Sequence, residues 1–570
     1  MTVTRRIFSK ALAFAALAAT ISAGSNARAQ QGGPTVVLTA KSAGEVIGDL
    51  RYLLSAVGKA DDPQIQGAIA ALDAFKDPAA LQGLDPSKPL GMFGSLPDGP
   101  GVMPSAVIFV PVLDSKKLLD SLAGFGATVE ADNTAPGFTH KVTAPGVPMP
   151  LYVTTGGGYL YVSLAPVGGE ALKAMKPASL LSKRPGAGDL SLTVHLDRIP
   201  AALKEQFNAQ FEQGLVAQRE RKPNEPDNEY QGRMVGMKVS QDAIVALVRD
   251  GKELTLDFII DQKTEFVGLE LISGAVPGSE YAKALRKLGA MKSKFRGLSA
   301  NAAVSGYAAV PVTQSVRDLM GKAFDQAMEK SAADNNPDEA AKKLIQEVAP
   351  AIRDTLTAES LDIAGALQGP VAGASDGAPT YAGVVAMTVK GGKKLDNVFR
   401  QFAKNLPADK QKDLKLDAAK AVDGTAIHKV TQTEGDAGPF GEKSGFFAFR
   451  DDMAAVGLGK NGLAALNSAL AASKAAAPAS GGSMGAVAPQ VEILVSASRG
   501  AGLSDKKPDR DAMTAAAAEV FTGASAKKDK VSLVLRAQGD SMSLRIGGDV
   551  PALKFIVRAA QITRNGGANN

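Results

Sequence analysis

The stretch Ser105–Phe125, SAVIFVPVLDSKKLLDSLAGF, determines the fold class that we predict for this 570-residue chain. Its first half is rich in β-branched and aromatic residues, which is typical of a buried strand, and the strand is expected to end near Pro111. Its second half places Leu118, Leu119 and Leu122 on one face of a helix. The stretch therefore predicts a strand followed directly by an amphipathic helix.

The same strand–helix pattern occurs five more times. It starts at Val36, Leu190, Ala303, Tyr381 and, with a delayed helix, Val491. Short strands with glycine-rich turns lie between these stretches and predict antiparallel hairpins. We therefore predict an α+β protein built of strand–helix–antiparallel hairpin–helix units, with helices packed on antiparallel or mixed sheets.

The second half of the chain repeats the order of the first. The tetrapeptide His140–Thr143, HKVT, recurs letter for letter at 428–431. Two adjacent lysines at a predicted helix start, Lys116-Lys117, recur as Lys393-Lys394. We predict an internal duplication of roughly 270 residues.

Composition changes and repeat boundaries divide the chain into predicted segments. These are a signal peptide (1–29), two α+β parts of the first half (30–185 and 186–296), a first part of the second half (297–472), an Ala/Ser/Gly/Pro linker (473–489), a second part (490–565) and a disordered tail (566–570).

The first 29 residues predict export. Arg5-Arg6 before a short apolar segment resembles a twin-arginine signal, and Ala27-Arg28-Ala29 has the form of a cleavage site. A general secretory signal that happens to carry two arginines is the alternative. Cleavage there would start the mature chain at Gln30, in the periplasm or outside the cell, after contact with the export machinery.

Charge and composition exclude several functions for the mature chain. The signal carries four basic residues and no acid, so its removal lowers the formal net charge from +6 to +2. A nearly balanced chain with 5% aromatic residues is a poor candidate for nucleic-acid binding. The lack of cysteine excludes disulfides, thiolate metal sites and cysteine catalysis. After the signal, no apolar run is long enough to predict a transmembrane segment.

Three local patterns predict further detail. Leu190 and Leu192 alternate with Ser191, so we expect a strand with one wet, polar face. Residues 244–249 and 253–260 flank Asp250-Gly251, which predicts a hairpin turn. The charged, proline-bearing stretch 219–233 predicts an exposed or flexible loop.

Two motifs match the residue pattern of a catalytic or cofactor site but lack the flanking residues or secondary structure that such a site requires. Gly457, Gly459 and Gly462 form a G-x-G-x-x-G, but no acidic residue follows at the spacing of a dinucleotide site, so we favour a turn before a helix. G-x-S-x-G occurs around Ser375 and Ser483. Ser375 precedes Asp409 and His428 in the order of a hydrolase triad, yet neither serine follows a strand and starts a helix.

Histidine and lysine give weak signals. His140 and His428 occupy matched positions on predicted strands, and with His195 they are the only histidines of the chain. We interpret the matched pair as solvent-facing strand residues rather than metal or acid–base groups. We interpret the lysine pairs as solvated helix faces rather than anion sites. We therefore predict no catalytic, cofactor-binding or metal-ligating residue and no cofactor.

Phrases such as VIFVPVLDSKKLLDSL resemble large exported proteins of unknown function, built on a duplicated strand–helix plan, that are abundant in planctomycete-type bacteria. That resemblance implies no functional residues. The favoured function is a non-enzymatic envelope or periplasmic binding or scaffold protein of unknown ligand. The alternatives are an enzyme whose cofactor is loaded before twin-arginine export, and a binder of an anionic envelope polymer through the lysine-led helices.

Overall fold

The computed structural model describes residues 33–567 except 97–104, 335–348, 372–379, 433–437, 474–486, most of 59–81 and of 167–187, and a few single positions. The predicted signal peptide and most of the predicted linker lie outside the described residues. The chain forms two compact units. Unit 1 comprises Met1–Ala217 and Val245–Ala282, and unit 2 comprises Gln218–Ile244 and Lys283–Asn570.

Unit 1 contains ten strands and all or part of five helices among its described residues. The strands are β1 (Val36–Ala40), β2 (Leu90–Ser95), β3 (Ser105–Pro111), β4 (Thr128–Ala131), β5 (His140–Thr143), β6 (Leu151–Gly156), β7 (Tyr159–Ser163), β8 (Leu190–Val194), β9 (Gly251–Asp261) and β10 (Phe266–Ala275). The helices are α1 (Ala43–Ala56), α2 (Ser115–Gly124), α3 (Ala201–Arg219), α4 (Asp227–Asp250) and α5 (Glu280–Gly289). The boundaries between the units fall inside α3, α4 and α5.

Unit 2 likewise contains ten strands in the part that the structure describes. They are β11 (Ala302–Pro311), β12 (Ser360–Val371), β13 (Thr380–Thr388), β14 (Leu414–Lys420), β15 (Ala426–Thr431), β16 (Ser444–Arg450), β17 (Met453–Leu458), β18 (Val491–Ser496), β19 (Lys530–Gln538) and β20 (Ser541–Asp549). Its further helices are α6 (Gln314–Asp334), α7 (Gly392–Asn405), α8 (Ala408–Gln411), α9 (Gly462–Ala472), α10 (Ala497–Gly500), α11 (Lys507–Val520) and α12 (Val550–Gly567).

The two units have the same strand order. In unit 1 the strands pair as β4-β5-β6-β7-β3-β2-β1-β8-β9-β10. In unit 2 they pair as β14-β15-β16-β17-β13-β12-β11-β18-β19-β20. Every one of these pairings is antiparallel. The α+β class is thereby confirmed, with antiparallel sheets.

The pairings also agree residue by residue. In unit 1, a row of directly opposite residues on successive strands starts at His140 and continues with Val153, Val162, Ile108, Met92, Leu38, Leu192, Leu256 and Leu271. In unit 2, the corresponding row starts at His428 and continues with Phe447, Val456, Val385, Gly365, Gly306, Ile493, Leu533 and Ile546. Three residues after Leu192 and three after Ile493 stand His195 and Ser496, and each is the N-cap of the helix that follows its strand.

Each sheet buries apolar side chains. In unit 1, Phe109 and Tyr161 belong to a cluster on one face, whereas their chain neighbours Val110 and Leu160 belong to a cluster on the other, as alternation along a strand requires. In unit 2 the largest cluster packs small residues such as Ala386 beneath α9. None of the helices in the described part is both long enough and apolar enough to cross a membrane.

The strand Leu190–Val194 was predicted to expose its polar face to solvent, but that face is buried and the apolar face is exposed. Ser191 is only 5% exposed, whereas Leu190 is 39% exposed. The reason is a polar cross-strand arrangement: Ser191 donates a hydrogen bond to Asp257, and the hydroxyls of Thr193 and Thr255 lie 3.0 Å apart. These hydrogen bonds offset the cost of burying the polar groups. The predicted alternation of polar and apolar residues is therefore present, but the polar face is the buried one.

The hairpin predicted at Asp250-Gly251 is wrong. α4 continues to Asp250, and β9 begins at Gly251, so the dipeptide joins a helix to a strand. A Cβ atom at residue 251 would lie 2.2 Å from the carbonyl oxygen of Leu247 and 2.6 Å from Cδ1 of Leu196. Glycine is therefore required here by the close approach of the preceding helical turn.

The exposed or flexible loop predicted for 219–233 is too long: a mostly exposed connection covers only 220–226, because α3 ends at Arg219 and α4 begins at Asp227. Arg233 of α4 holds the short connection. Its guanidinium donates to both carboxylate oxygens of Glu225, at 2.8 and 2.7 Å. The pKa of the Glu225 carboxyl falls to about 2 through these hydrogen bonds. A local ion pair therefore holds this exposed connection to α4.

Candidate ligand-binding cleft in unit 2

Unit 2 contains an open cleft of about 990 Å³. Its walls include β11, β18 and β19 together with residues from the segments 296–302, 496–499 and 526–530. The volume lies at the upper end of the range found for small-molecule sites. Five basic and two acidic residues line the cleft.

The antiparallel register brings polar side chains from three strands to one surface. Tyr307 of β11 lies directly opposite Glu492 of β18, which in turn lies opposite Val534 of β19. Residues i and i+2 of a strand share a face, so Arg536 accompanies Val534. All four side chains line the cleft. A phenol, a carboxyl and a guanidinium from distant parts of the chain are thereby collected on one sheet.

Burial changes the acid–base properties of this surface. It raises the pKa of the Tyr307 hydroxyl above its ordinary value of 10, and the negative charge of Glu492 raises it further. Burial also raises the pKa of the Glu492 carboxyl above 4.5, against the opposing charges of Arg536, Lys530 and Arg296. Both groups keep their protons to a higher pH than they would in water.

Arg296 is held at the cleft by a short 3₁₀ turn, Arg296–Ser299. Phe295 and Leu298 on either side are almost completely buried in the main core of unit 2 and anchor the turn. The Nε atom of Arg296 is buried, and the described residues offer it no hydrogen-bond acceptor. A buried N–H without an acceptor is costly, and the guanidinium that carries it lines the cleft, so Arg296 is a candidate for binding a ligand.

Asp362 of β12 fixes the segment that leads into this turn. Its carboxylate accepts hydrogen bonds from Ser293 Oγ, at 2.7 Å, and from the backbone N–H of Lys294, at 2.8 Å. Burial nevertheless raises the pKa of the Asp362 carboxyl, because its desolvation outweighs these hydrogen bonds. The 3₁₀ turn is thus attached to the sheet through a buried polar contact as well as through the core.

Two charged residues of the cleft already have partners. Arg499 donates from Nη2 to Asn301 Oδ1, at 3.2 Å, and its other terminal nitrogen contacts backbone carbonyl oxygens. The Asp529 carboxylate accepts hydrogen bonds from Ser496 and Ser498. These contacts close the loops around the cleft, and they leave neither group free for a ligand.

Three other cations have no such partner in the part of the chain that the structure describes. The side chains of Arg296, Lys527 and Lys530 make no hydrogen bond or ion pair there, and the same holds for the carboxyl of Glu492. Lys527 and Lys530 are exposed, and Arg296 and Glu492 are half-buried. The cleft therefore contains three basic side chains without an ion-pair partner among the described residues, together with the partly desolvated carboxyl of Glu492.

The interpretation of His428 as a solvent-facing residue is wrong. His428 is 0% exposed. Its Nε2 lies 2.7 Å from Oδ1 of Asp396 on α7, and its Nδ1 accepts the backbone N–H of Asp417 at 3.2 Å. Arg400 joins the two carboxylates, donating to Asp396 at 2.8 Å and to Asp417 at 2.7 Å. This network fastens α7 to the sheet.

The other histidines and the lysine pairs are not among the residues that line the cleft. His140 is half-buried, and its Nδ1 is 2.9 Å from the Thr139 hydroxyl. Burial lowers the pKa of His195, and the charge of Arg198 lowers it further. The four lysines 116, 117, 393 and 394 are exposed, as expected for solvated helix faces.

The glycine motif 457–462 joins β17 to α9, as the predicted turn before a helix requires. A Cβ atom on Gly457 would lie 2.1 Å from the carbonyl oxygen of Gly462. Gly459 has a φ of +92° and packs against Phe440. Close packing of the strand end on the helix start accounts for all three glycines.

The structure cannot be compared with the hydrolase motif at its serines. Ser375 and Ser483 lie outside the described residues, and Asp409 lies on α8. Sequence reasoning missed the cleft because Tyr307, Glu492 and Arg536 show no motif spacing. One signal was present: Glu492 is the single charge in the otherwise apolar run VEILV of β18.

Comparison with protein families, with curated proteins and with solved structures finds no match to this chain.

Proposed function

We propose that this chain is an exported, non-enzymatic binding protein whose ligand site is the cleft of unit 2. The observation that supports this most directly is that two half-buried cleft side chains, Arg296 and Glu492, make no hydrogen bond or ion pair with the described residues, and the exposed Lys530 beside them has no ion-pair partner there either. Buried or partly buried polar groups are normally satisfied, so an unsatisfied set around an open space favours a bound ligand.

Export is part of the same proposal. The twin-arginine-like signal and its cleavage pattern support a periplasmic or extracellular site of action. The absence of cysteine agrees with a protein that relies on its cores rather than on disulfides for stability.

A second candidate function is catalysis, favoured by the pair formed by Tyr307 and Glu492. A carboxyl that keeps its proton beside a buried phenol is suited to general acid catalysis. A cofactor loaded before twin-arginine export would then occupy the cleft. A chromophore or a metal that copurifies with the native protein would favour this candidate over simple binding.

We further propose that the two units arose by duplication. Three observations support this: the identical strand order, the matched rows of cross-strand partners, and the shared N-cap positions His195 and Ser496. The HKVT repeats lie at the starts of those rows, so the repeat seen in the sequence and the register seen in the sheets agree. Under this proposal the polar residues of the cleft changed after the duplication, since Glu492 and Val534 stand where unit 1 has Ser191 and Asp257.

Native mass spectrometry tests the binding function. Mature protein purified from its own envelope is expected to carry a reproducible extra mass. Ser532→Trp fills the cleft with a large side chain and should remove that mass, whereas Gln210→Trp, on an exposed position of α3, should retain it. A bare polypeptide mass for the unsubstituted protein, or a mass retained by Ser532→Trp, would overturn the proposal.

A further inference from the structure

The balance of charge in the cleft of unit 2 indicates what its ligand must carry. Five basic residues face two acidic ones, and the carboxylate of Asp529 is already satisfied by two serine hydroxyls. The remaining carboxyl, that of Glu492, is partly desolvated and tends to keep its proton. Little negative charge is thus available within the cleft to offset the cations.

Two cations without a partner in the described part of the chain line the cleft, Arg296 and Lys530. Lys530 lies on the same face of β19 as Ser532 and Val534, and Val534 is directly opposite Glu492. The buried Nε atom of Arg296 lacks an acceptor among the described residues, and no carboxylate in that part of the chain pairs with the Lys530 ammonium group. A guanidinium with free N–H groups is well matched to the paired oxygens of a carboxylate or a phosphate.

The sheet below these cations differs from its counterpart in unit 1. Following the matched rows, Glu492 corresponds to Ser191, and Val534 corresponds to Asp257. In unit 1 the serine and the aspartate satisfy each other. In unit 2 the carboxyl lies between Val534 and Tyr307 and makes no hydrogen bond to any described residue, which leaves its hydrogen-bonding positions open to a ligand or to water.

We infer that the ligand is a small organic anion, which binds through a carboxylate or phosphate group to Arg296 and Lys530 and presents a hydroxyl group to Glu492 and Tyr307. This inference rests on the proposed binding function and specifies its chemistry. Both anionic groups offer the paired oxygens that the guanidinium can bind, and a hydroxyl group can donate to the carboxyl as well as accept from it.

Three probes with one carbon skeleton test the inference by isothermal titration calorimetry on the mature protein. They are glucose 6-phosphate, gluconate and glucose, which carry a phosphate, a carboxylate and no charge. At least one anion is expected to bind about tenfold or more tightly than glucose. The comparison of the two anions then separates a phosphate ligand from a carboxylate ligand.

Substitutions locate the binding. Arg296→Gln and Lys530→Gln should each weaken binding of the preferred anion about tenfold, while Lys263→Gln, an exposed lysine outside the cleft, should leave it unchanged. Unchanged circular dichroism of each variant excludes loss of folding. Equal binding of glucose, no anion binding at millimolar concentration, or binding that survives both substitutions would overturn the inference.

The proposed function can fail separately from this inference. A neutral compound that copurifies with the protein and is lost in Ser532→Trp would overturn the anionic ligand but support the binding function. A protein that carries no compound and binds none of the three probes would overturn both.

Discussion

Glu492 is placed where an ionised carboxyl lowers the stability of the folded state. Its carboxyl is partly desolvated, and the described residues give it no hydrogen bond or ion pair. Such a group destabilises the folded state whenever it is ionised. The matched Ser191 of unit 1 carries no charge and is hydrogen-bonded to Asp257. We interpret Glu492 as a residue kept for ligand contact rather than for stability.

Glu492→Gln is therefore expected to stabilise the protein, by about 1 kcal/mol at pH 7. Burial raises the folded-state pKa of Glu492 above 4.5, so the folded state binds its proton more tightly than the unfolded state does. Stability from this group is fully present below pH 4.5 and is lost as the pH rises through the raised pKa. The gain from the substitution should hence grow with pH across that window.

Chemical denaturation of both proteins between pH 4 and pH 8 measures this effect. Glu205→Gln, on an exposed position of α3, serves as the control and should change stability little at any pH. Destabilisation by Glu492→Gln at neutral pH would mean that the carboxylate has a stabilising partner, contrary to this account.

His428 provides a second prediction with a control inside the chain. His428→Ala should destabilise the protein by about 2–4 kcal/mol, because it leaves a cavity and removes the partner of Asp396 and of the Asp417 N–H. His140→Ala, at the matched but half-buried position of unit 1, should cost less than about 1 kcal/mol. Equal losses for the two variants, measured by urea denaturation, would contradict the structural role given to His428.

The histidines also show what sequence could and could not predict for single residues. The HKVT repeat correctly marked two strands at matched positions of the two sheets. It could not distinguish a half-buried His140 from a buried His428, because burial depends on Asp396 of α7 and on the adjacent Phe399 and Phe449. Those neighbours are distant in sequence and are not repeated around His140.

At the level of elements, the junction of α4 and β9 shows a similar limit. Asp-Gly is a frequent hairpin dipeptide, yet here it ends a helix. A hairpin turn and this helix end both require glycine, because a side chain would clash at that position. The dipeptide alone therefore cannot distinguish a hairpin turn from a helix end. The strand–helix stretches were easier to predict because their apolar spacing changes from period 2 to period 3.6 within a few residues, as β3 and α2 confirm.

Glycine substitutions test this junction. Gly251→Ala should destabilise the protein by about 1–3 kcal/mol, because the new methyl group meets the Leu247 carbonyl and the Leu196 side chain. Gly236→Ala, in the middle of α4, has nothing within 4 Å of its new Cβ atom and should stabilise the helix by up to about 1 kcal/mol. Thermal unfolding of both variants measures the difference, and shifts of the same sign would contradict the assigned helix end.

At the level of the whole molecule, the proposed duplication explains why one plan of ten strands occurs in both units. It does not predict the cleft, which depends on positions where the copies differ. Tyr307, Glu492 and Arg536 come from three strands and meet only through the antiparallel register. A sequence without motif spacing cannot reveal such a site until the strand order is known.

Export gives a prediction for the whole chain. Replacing Arg5 and Arg6 by lysine should leave the precursor unprocessed inside the cell, because twin-arginine transport depends on the arginine pair. The unsubstituted protein should be recovered from the envelope with Gln30 as its first residue. Intact-mass measurement of both fractions checks this, and normal processing of the double lysine variant would favour the general secretory route.

A crystal structure of the mature protein, purified from its own envelope without stripping bound compounds, tests the central claim most directly. The account predicts density for an organic anion in the cleft of unit 2, with its charged group at Arg296 and Lys530 and a hydroxyl group at Glu492. A cleft that holds only water while a copurified compound is bound elsewhere on the molecule would contradict it.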